Sequence, residues 1–275
     1  MDLDALISAA LEEDLEAGGD VTSSAIFGDE HCEAALFSKD TGILAGIDVF
    51  SRVFERVDSG LTVERLRKDG DFLLPGDQVA RVEGKTVSIL TAERTAINFL
   101  SYLSGIASKT RQFVDALAEV DGTAAVLDTR KTHPGYRKLA KLAVRIGGGK
   151  NHRMGLYDMV MIKDNHIDAA GSITEAVSRI QKAYGDRYRI EVECRTLSDV
   201  REAVGMQVDV VMLDNMDMQT VSESLKLRRG DVLFEVSGNM DLNKVAAYGN
   251  TGVDYISVGA LTHSVTAFDF SMKIN

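Results

Sequence analysis

The sequence contains 275 residues, of which 31 are Lys or Arg and 42 are Asp or Glu, so its net charge at pH 7 is −11. So acidic a chain is not expected to bind nucleic acids generally, because phosphate backbones attract broad basic surfaces. Its hydrophobic fraction of 45% is that of an ordinary globular protein. No apolar run approaches the roughly 18 residues of a membrane-spanning helix, so no membrane association is expected.

The N-terminal segment, MDLDALISAALEEDLEAGGD, is acidic and has apolar residues at helical spacing. This pattern predicts a helix from Met1 to about Asp14, and it is unlike a signal or transit peptide. The two cysteines, Cys32 and Cys194, lie outside any CxxC pair. They argue against a disulfide framework or a zinc site and fit a cytoplasmic protein.

Short alternating runs follow between residues 31 and 84, separated by turn sequences such as KDGD and LPGD. They predict a small, mostly antiparallel sheet with one helix at IDVFSRVFERV. Next comes the long helical stretch TVSILTAERTAINFLSYLSGIASKTRQFVDALAEV. It predicts two helices with a break near Ser104 and Gly105, because glycine is unfavourable within a helix.

After Asp121 the pattern changes to six short apolar runs, namely TAAVLD, DMVMIKD, YRIEVEC, VDVVMLDN, DVLFEVSG and VDYISVG. Helical segments such as SITEAVSRIQKAYG, TLSDVREAVGM and DMQTVSESLKLR lie between the later runs. Apolar runs that barely alternate indicate strands buried on both faces of a parallel sheet. Six such strands, with one more nearby, favour a β/α barrel over a closely related open sheet.

Charged residues follow the predicted strands, where the active site of an α/β barrel lies. Arg130 and Lys131 follow one strand and Lys163 follows the next. An arginine fork and lysine charges match a carboxylate or a phosphate, which favours an anion pocket over solvated ion pairs. Glu193 and Asp214 end later strands. Three roles stay open for these two carboxylates: a divalent-cation site, general acid–base catalysis, or ion pairing with the cations.

The segment from 128 to 153, DTRKTHPGYRKLAKLAVRIGGGKNHR, gathers eight Lys and Arg residues and no acid after Asp128. It lacks the GxGxxG register and the Walker lysine spacing, so a nucleotide P-loop is disfavoured. Its glycines are expected to end the helix YRKLAKLAVRI. This helix is predicted to bury one side and solvate the other, with Leu139, Leu142, Ala143 and Ile146 inward and Arg137, Lys138 and Lys141 in water.

Small-residue turns, SGN and VGALTHS, follow two of the last strands. Their backbone N–H groups could bind a phosphate, as the late loops of barrels often do. The histidines show no repeated metal-ligand spacing, so no tight metal site made of protein ligands alone is expected, whether from His133, His152, His166 or His263.

The segments DTRKTHPGYR, GGGKNHRMGLYD and MIKDNHI, in this order, resemble the quinolinate phosphoribosyltransferase family. Supporting segments extend the resemblance over essentially the whole chain: GGDVTSSA, ERTAINFLSYLSGIA, EVEC, MLDN, EVSGN and SVGALTHS. It implies an N-terminal α/β sandwich domain at 1–105, which the C-terminal tail can join. An incomplete β/α barrel of seven strands or so follows at 106–275, of the type II phosphoribosyltransferase kind.

The resemblance also implies the reaction: quinolinate and phosphoribosyl pyrophosphate give nicotinate mononucleotide, carbon dioxide and pyrophosphate, with Mg²⁺. It implies a homodimer or higher oligomer, in which Arg94 comes from the neighbouring subunit. The two carboxylates of quinolinate are then held by Arg94, Arg130, His152, Arg153 and Lys163. Lys131 then faces the sugar phosphate or pyrophosphate, and Glu193 and Asp214 contact the ribose hydroxyls or Mg²⁺. The residues around the 5′-phosphate are Ser237, Gly238, Gly259 and His263.

On this basis Lys131, Glu193 and Asp214 are the expected catalytic residues. Departure of pyrophosphate leaves positive charge on the ribose ring, which the two carboxylates could stabilise. The chain departs from the family at Ala140, where an acid is usual, and LAKLAV is similar to a molybdenum-transport-associated branch of the same fold. Two alternatives therefore stay open: a sister transferase acting on another heterocycle, and a phosphometabolite-binding protein without catalysis.

Overall fold

A computed structural model of the protein describes residues 2–274. Its helices are α1 (Leu3–Leu15), α2 (Val21–Ile26), α3 (Ile47–Val57), α4 (Thr86–Ala118), α5 (Arg137–Ile146), α6 (Asp164–Ala170), α7 (Ile173–Tyr184), α8 (Leu197–Gly205), α9 (Met218–Leu225), α10 (Leu242–Gly249) and α11 (Ala260–His263). Its strands are β1 (His31–Ser38), β2 (Gly42–Ile43), β3 (Thr62–Arg65), β4 (Phe72–Leu73), β5 (Gln78–Lys85), β6 (Ala125–Leu127), β7 (Val160–Ile162), β8 (Ile190–Cys194), β9 (Val210–Asp214), β10 (Leu233–Ser237), β11 (Tyr255–Ser257) and β12 (Phe270–Ile274).

The chain forms two compact units. The first contains the residues up to Arg111, residues 133–148 and the residues from Val265 onward. The second contains residues 112–132 and 149–264. Both units are therefore discontinuous in sequence. The predicted division at residue 105, with a C-terminal tail that can join the first domain, stays a prediction about the domains of the chain.

The first unit is built on an antiparallel sheet, as the alternating runs predict. Its strand order is β12-β1-β5-β3, and a two-stranded sheet of β2 and β4 accompanies it. The C-terminal strand β12 pairs with β1, with Leu36 opposite Met272. The predicted helix at IDVFSRVFERV is α3, which buries an apolar stripe that includes Phe50 and Phe54, with ring centroids 5.0 Å apart. Burial of this stripe stabilises the helix on the unit's core.

The predicted break in the long helical stretch is wrong, because α4 runs without interruption for 33 residues. Gly105 lies inside it for a reason of packing. A Cβ atom at this position would lie 2.2 Å from the carbonyl oxygen of Thr266 and 3.0 Å from Val265. Glycine thus allows the C-terminal segment to approach the helix backbone. The residues around Gly105 in the sequence give no indication of this contact. Within residues 2–274 no helix is both long and apolar enough to cross a membrane.

The second unit contains all six predicted strands in one parallel sheet, with the order β6-β11-β10-β9-β8-β7. The first strand, β6, pairs with the last, β11, as in a sheet that curls round into a barrel. Among the described residues β6 and β7 are not paired, so the barrel is incomplete. An isolated parallel bridge from Lys150 to Leu127 adds one more position beside β6. The incomplete β/α barrel expected from the sequence is confirmed.

One prediction about α5 is also wrong. Leu139 and Ala143 are buried and Lys138 is exposed, as expected. Lys141, however, is only 1% exposed. It lies three residues before the buried Val144, so the two side chains are neighbours on the helix surface. The buried stripe is wider than the apolar residue types suggest, and it includes one cation.

Candidate functional site

The carboxyl ends of the barrel strands surround a cavity of about 780 Å³ within the second unit. This volume is in the range of sites for small ligands. All but one of the twelve predicted substrate-binding residues line it: Arg130, Lys131, His152, Arg153, Lys163, Glu193, Asp214, Ser237, Gly238, Gly259 and His263. Arg94, the remaining one, is an exposed residue of α4 in the first unit.

The charges of the cavity lining are mixed but mainly positive. Four Lys and Arg side chains line it, together with the carboxylates Glu193 and Asp214. The ammonium of Lys163 donates to Glu193 Oε2 at 2.9 Å, and their side chains are 44% and 14% exposed. A cavity of this kind concentrates small anions while the surface of the chain stays acidic.

A buried aspartate joins the two ends of the basic segment. The carboxylate of Asp128 accepts the Asn151 amide at 2.5 Å and the backbone N–H of His152 at 2.9 Å. The backbone of Lys150 also bridges to Leu127, the last residue of β6. Asp128 immediately precedes the Thr-Arg-Lys loop, and residues of both segments line the same cavity: Arg130, Lys131, His152 and Arg153.

His152 lines the cavity, and its ring faces two buried carboxylates. Its Nε2 lies 3.0 Å from Glu191 Oε2 and 3.7 Å from Glu235 Oε2. Burial, with the charge of Glu191, raises the pKa of Glu235 to about 8. Burial, with the charge of Arg130, lowers the pKa of Arg153, although a guanidinium stays charged in proteins. Next to His152, one buried carboxyl therefore keeps its proton more readily than an ordinary glutamic acid does.

The ends of β9 and β10 form a tight pair of turns. Asn215 has a positive φ of 52°, and its side chain donates to Asp214 Oδ2 at 2.9 Å. Gly238 has φ +111°, and a Cβ atom there would lie 2.2 Å from the Asn215 side-chain oxygen. Glycine is required here by both its φ and its close contact. The turn exposes backbone directly after Ser237, as a phosphate-binding loop needs.

The last loop of the barrel packs against the first. The hydroxyl of Thr262 donates to the backbone oxygen of Lys131 at 2.9 Å. A Cβ atom on Gly259 would approach the His263 ring to 3.1 Å and Lys131 Cδ to 3.2 Å. Lys131 and His263 therefore lie on either side of a small residue at the end of the barrel, where they could contact the same anionic group.

Sequence reasoning missed Glu191 and Glu235, both only 1% exposed. A signal was available, because Glu191 and Glu193 are two residues apart on β8 and so point to the same face. Glu235 likewise precedes Ser237 by two residues on β10. The strand ends alone do not reveal these carboxylates, which lie deeper along the same faces.

The protein has an incomplete β/α barrel, and the ends of its strands enclose a cationic cavity with two carboxylates. These features are typical of enzymes that act on small anionic, phosphorylated substrates. The sequence matches the family described as quinolinate phosphoribosyl transferase in both of its domains. The N-terminal domain matches residues 20–104 and the C-terminal domain residues 106–273. The chain belongs to the quinolinate phosphoribosyl transferase family.

Individual relatives agree with this assignment. The chain is 44% identical to a probable nicotinate-nucleotide pyrophosphorylase (carboxylating) of Bacillus subtilis (strain 168), covering 93% of this chain and 88% of that protein. It is 44% identical to the chloroplastic nicotinate-nucleotide pyrophosphorylase (carboxylating) of Arabidopsis thaliana, covering 100% and 83%. The crystal structure of NadC from Streptococcus pyogenes superposes with a TM-score of 0.95 at 42% identity, covering 99% of this chain and 96% of that one.

Proposed function

We propose that the protein transfers the phosphoribosyl group from phosphoribosyl pyrophosphate to quinolinate, with loss of carbon dioxide and formation of nicotinate mononucleotide and pyrophosphate. It is thus a nicotinate-nucleotide pyrophosphorylase (carboxylating) in NAD biosynthesis. The observation that supports this most strongly is the shared cavity. Residues from all six barrel strands, selected by a resemblance to one family, meet around a single space of about 780 Å³.

The cations of the cavity suit a planar dianion. Arg130, Arg153 and Lys163 supply two guanidinium forks and one ammonium for the two ring carboxylates of quinolinate. Recognition by charge-assisted hydrogen bonds fixes the orientation of the ring, so that its nitrogen can face the ribose carbon of the second substrate. We propose Lys131 for the phosphate or pyrophosphate side.

Glu193 and Asp214 are proposed to act on the ribose. As pyrophosphate leaves, positive charge develops on the sugar ring, and a carboxylate placed before the reaction lowers the energy of that charge. Glu193 is held by Lys163, and Asp214 by the Asn215 amide, each at 2.9 Å. These bonds keep both carboxylates oriented. The 5′-phosphate is proposed to lie among Ser237, Gly238, Gly259 and His263.

We propose Mg²⁺ as the cofactor. Mg²⁺ is commonly bound by one or two carboxylates together with substrate phosphates. The cavity offers Glu193 and Asp214 as such oxygen donors, a set that fits an ion arriving with phosphoribosyl pyrophosphate. Both residues would hold the ion, which would neutralise charge on the leaving pyrophosphate.

We also propose a cytoplasmic homodimer or higher oligomer in which Arg94 reaches the cavity of the neighbouring subunit. Arg94 is exposed on α4, where a second subunit can approach it. It would add a guanidinium to the carboxylate-binding group. The cytoplasmic location is proposed because the chain has only two cysteines and both are free thiols, as is usual in a reducing compartment.

The test is a product assay with the purified protein, Mg²⁺, phosphoribosyl pyrophosphate and quinolinate. We expect nicotinate mononucleotide. Turnover with nicotinate or another heterocycle, and none with quinolinate, would make the protein a sister transferase. Thermal stabilisation by the substrates without turnover in any combination would indicate a phosphometabolite-binding protein.

A further inference from the structure

Arg153 lies between two aspartates that bind the chain on either side of it. The carboxylate of Asp158 accepts the backbone N–H groups of Met154 at 2.6 Å and Gly155 at 2.8 Å. The carboxylate of Asp128 accepts donors of the two residues before Arg153. Arg153 lines the cavity, whereas neither aspartate does. The two carboxylates are thus placed to hold Arg153 rather than to bind a ligand.

The chain closes a turn directly after Arg153 and just before β7. Oδ2 of Asp158 binds the Met154 N–H and Oδ1 binds the Gly155 N–H, so both oxygens of the carboxylate are occupied. On the other side of the turn, the Arg153 guanidinium donates to the backbone oxygen of Met159 at 3.1 Å. Three hydrogen bonds therefore hold this turn, and one of them is made by the Arg153 side chain itself.

The protein holds the Arg153 side chain but leaves most of its donors for a ligand. The residue is 9% exposed, and its exposed part faces the cavity that it lines. Within residues 2–274 the Met159 carbonyl is the one hydrogen-bond acceptor for the guanidinium, which carries five N–H donors. A long side chain that is already held loses less conformational entropy when a ligand binds.

The neighbouring charges explain why this side chain needs to be held. Burial, and then the charge of Arg130, lower the pKa of Arg153. Two like charges repel each other, so an unrestrained Arg153 side chain is expected to move away from Arg130 while no anion is bound. Asp158 is one of the groups whose charge favours the Arg153 guanidinium. The turn thus keeps two cations near each other, ready for a carboxylate.

The turn also favours the ionised form of Asp158. Burial acts to raise the pKa of this carboxyl, but the N–H groups of Met154 and Gly155 and the charge of Arg153 outweigh it, so the pKa lies below its usual value. A carboxylate offers an oxygen to each of the two N–H groups. An asparagine has one oxygen instead of two and satisfies only one of them.

We propose that Asp158 is a positioning residue for Arg153, the counterpart of Asp128 on the other side. The two aspartates hold the chain before and after Arg153, so that its guanidinium stays at the cavity and binds a carboxylate of quinolinate. This inference rests on the proposed function in naming quinolinate as the ligand. It adds a residue outside the cavity lining to those on which recognition of the dicarboxylate depends.

Kinetics of two Asp158 variants test the positioning role. Asp158→Ala removes both acceptors, whereas Asp158→Asn keeps one. We expect the alanine variant to raise KM for quinolinate by about 10- to 150-fold, the range for loss of one hydrogen bond to a charged group. The asparagine variant should raise it less, and KM for phosphoribosyl pyrophosphate should change little in either. An unchanged KM for quinolinate in a folded alanine variant, or an equal rise of KM for both substrates, would overturn the proposal.

Asp77→Ala is the matched control. Asp77 accepts the Leu74 N–H at 2.9 Å in a turn of the first unit, and it does not line the cavity. Its loss removes a hydrogen bond of the same kind, so the control should keep both KM values although its melting temperature falls. A rise in KM for quinolinate equal to that of Asp158→Ala would contradict a specific role for Asp158.

A double-mutant cycle with Arg153 separates positioning from a general effect on the fold. In protein that carries Arg153→Met no guanidinium remains to be positioned, so Asp158→Ala should raise KM for quinolinate no further. Equal increases with and without the guanidinium would show that Asp158 does not act through Arg153. If Asp158→Ala does not fold, Asp158→Asn takes its place in the cycle with the same expectation.

Hydrogen exchange of the wild-type protein without substrate tests the turn itself. We expect the backbone N–H groups of Met154 and Gly155 to exchange slowly, and at least one of them to exchange faster in Asp158→Asn. Fast exchange of both groups in the wild type would overturn the proposal. This measurement needs no quinolinate, so a wild-type protein that does not turn over quinolinate would refute the proposed function separately.

Discussion

Lys163 offers a sharp test of the cation cavity. Its ammonium lies 2.9 Å from Glu193, and its side chain is 44% exposed at the end of β7. Lys163→Met removes the charge and keeps most of the aliphatic chain. A hydrogen bond to a charged group contributes roughly 1.5–3 kcal/mol, which corresponds to about a 10- to 150-fold increase in KM for quinolinate. The ion pair with Glu193 is partly exposed and contributes at most about 1 kcal/mol to folding, so the variant should fold.

The assay is the initial rate of nicotinate mononucleotide formation at saturating phosphoribosyl pyrophosphate, with the melting temperature measured alongside. Lys138→Met is the matched control, because Lys138 is an exposed cation of the same sequence region, in α5. We expect the control to keep its KM for quinolinate. A folded Lys163→Met variant with a wild-type KM would refute the assignment of Lys163 to the carboxylate-binding group.

Gly105→Ala should lower the melting temperature, because the new methyl group would lie 2.2 Å from the backbone oxygen of Thr266. Such overpacking costs about 1–3 kcal/mol, which outweighs the gain of about 1 kcal/mol from the higher helix propensity of alanine. Gly205→Ala is the control, because Gly205 lies at the end of α8 and a Cβ atom there would have no neighbouring atom within 4 Å. This control should be neutral or stabilising. A Gly105→Ala variant that is more stable than wild type would contradict the packing explanation. Glu235 is held protonated in the folded protein, with a pKa of about 8 against a usual 4.5. The folded state then binds more protons than the unfolded state between these values, so stability falls as pH rises through this range. Denaturant titrations should show wild type losing stability relative to Glu235→Gln from pH 5 to 8, and parallel curves would refute this. Finally, Arg94→Ala and Lys163→Met proteins should be mixed under conditions in which subunits exchange, and activity at low quinolinate should then return. A mixed dimer contains one intact site, formed by Lys163 of one subunit and Arg94 of the other. If activity does not return, the shared site is contradicted.

The barrel was predictable because its strands are buried on both faces, and such strands appear in sequence as short apolar runs such as VDVVMLDN. Eleven of the residues that line the cavity were also predictable. Most of them lie at the ends of those runs or just after them, and the segments TRK, NHR and KDNH are distinctive in combination. Each of these signals is local, so one sequence contains it.

Some of the features that sequence reasoning missed are explained only by distant parts of the chain. Gly105 is explained by the carbonyl of Thr266, far along the sequence, and not by a helix break. Lys141 is buried although its residue type predicts exposure. Glu191 and Glu235 come from strands separated by β9, and their roles are defined only when both face His152. Residue type alone does not reveal the packing at such positions.

The central claim is that this cavity joins quinolinate to a phosphoribosyl group and releases one carboxyl as carbon dioxide. It is tested most directly with quinolinate labelled with carbon-13 at the 2-carboxyl group, in the presence of Mg²⁺ and phosphoribosyl pyrophosphate. We expect labelled carbon dioxide, unlabelled nicotinate mononucleotide and pyrophosphate in equal amounts. Label retained in the nucleotide product, or no nucleotide formed from quinolinate, would contradict it.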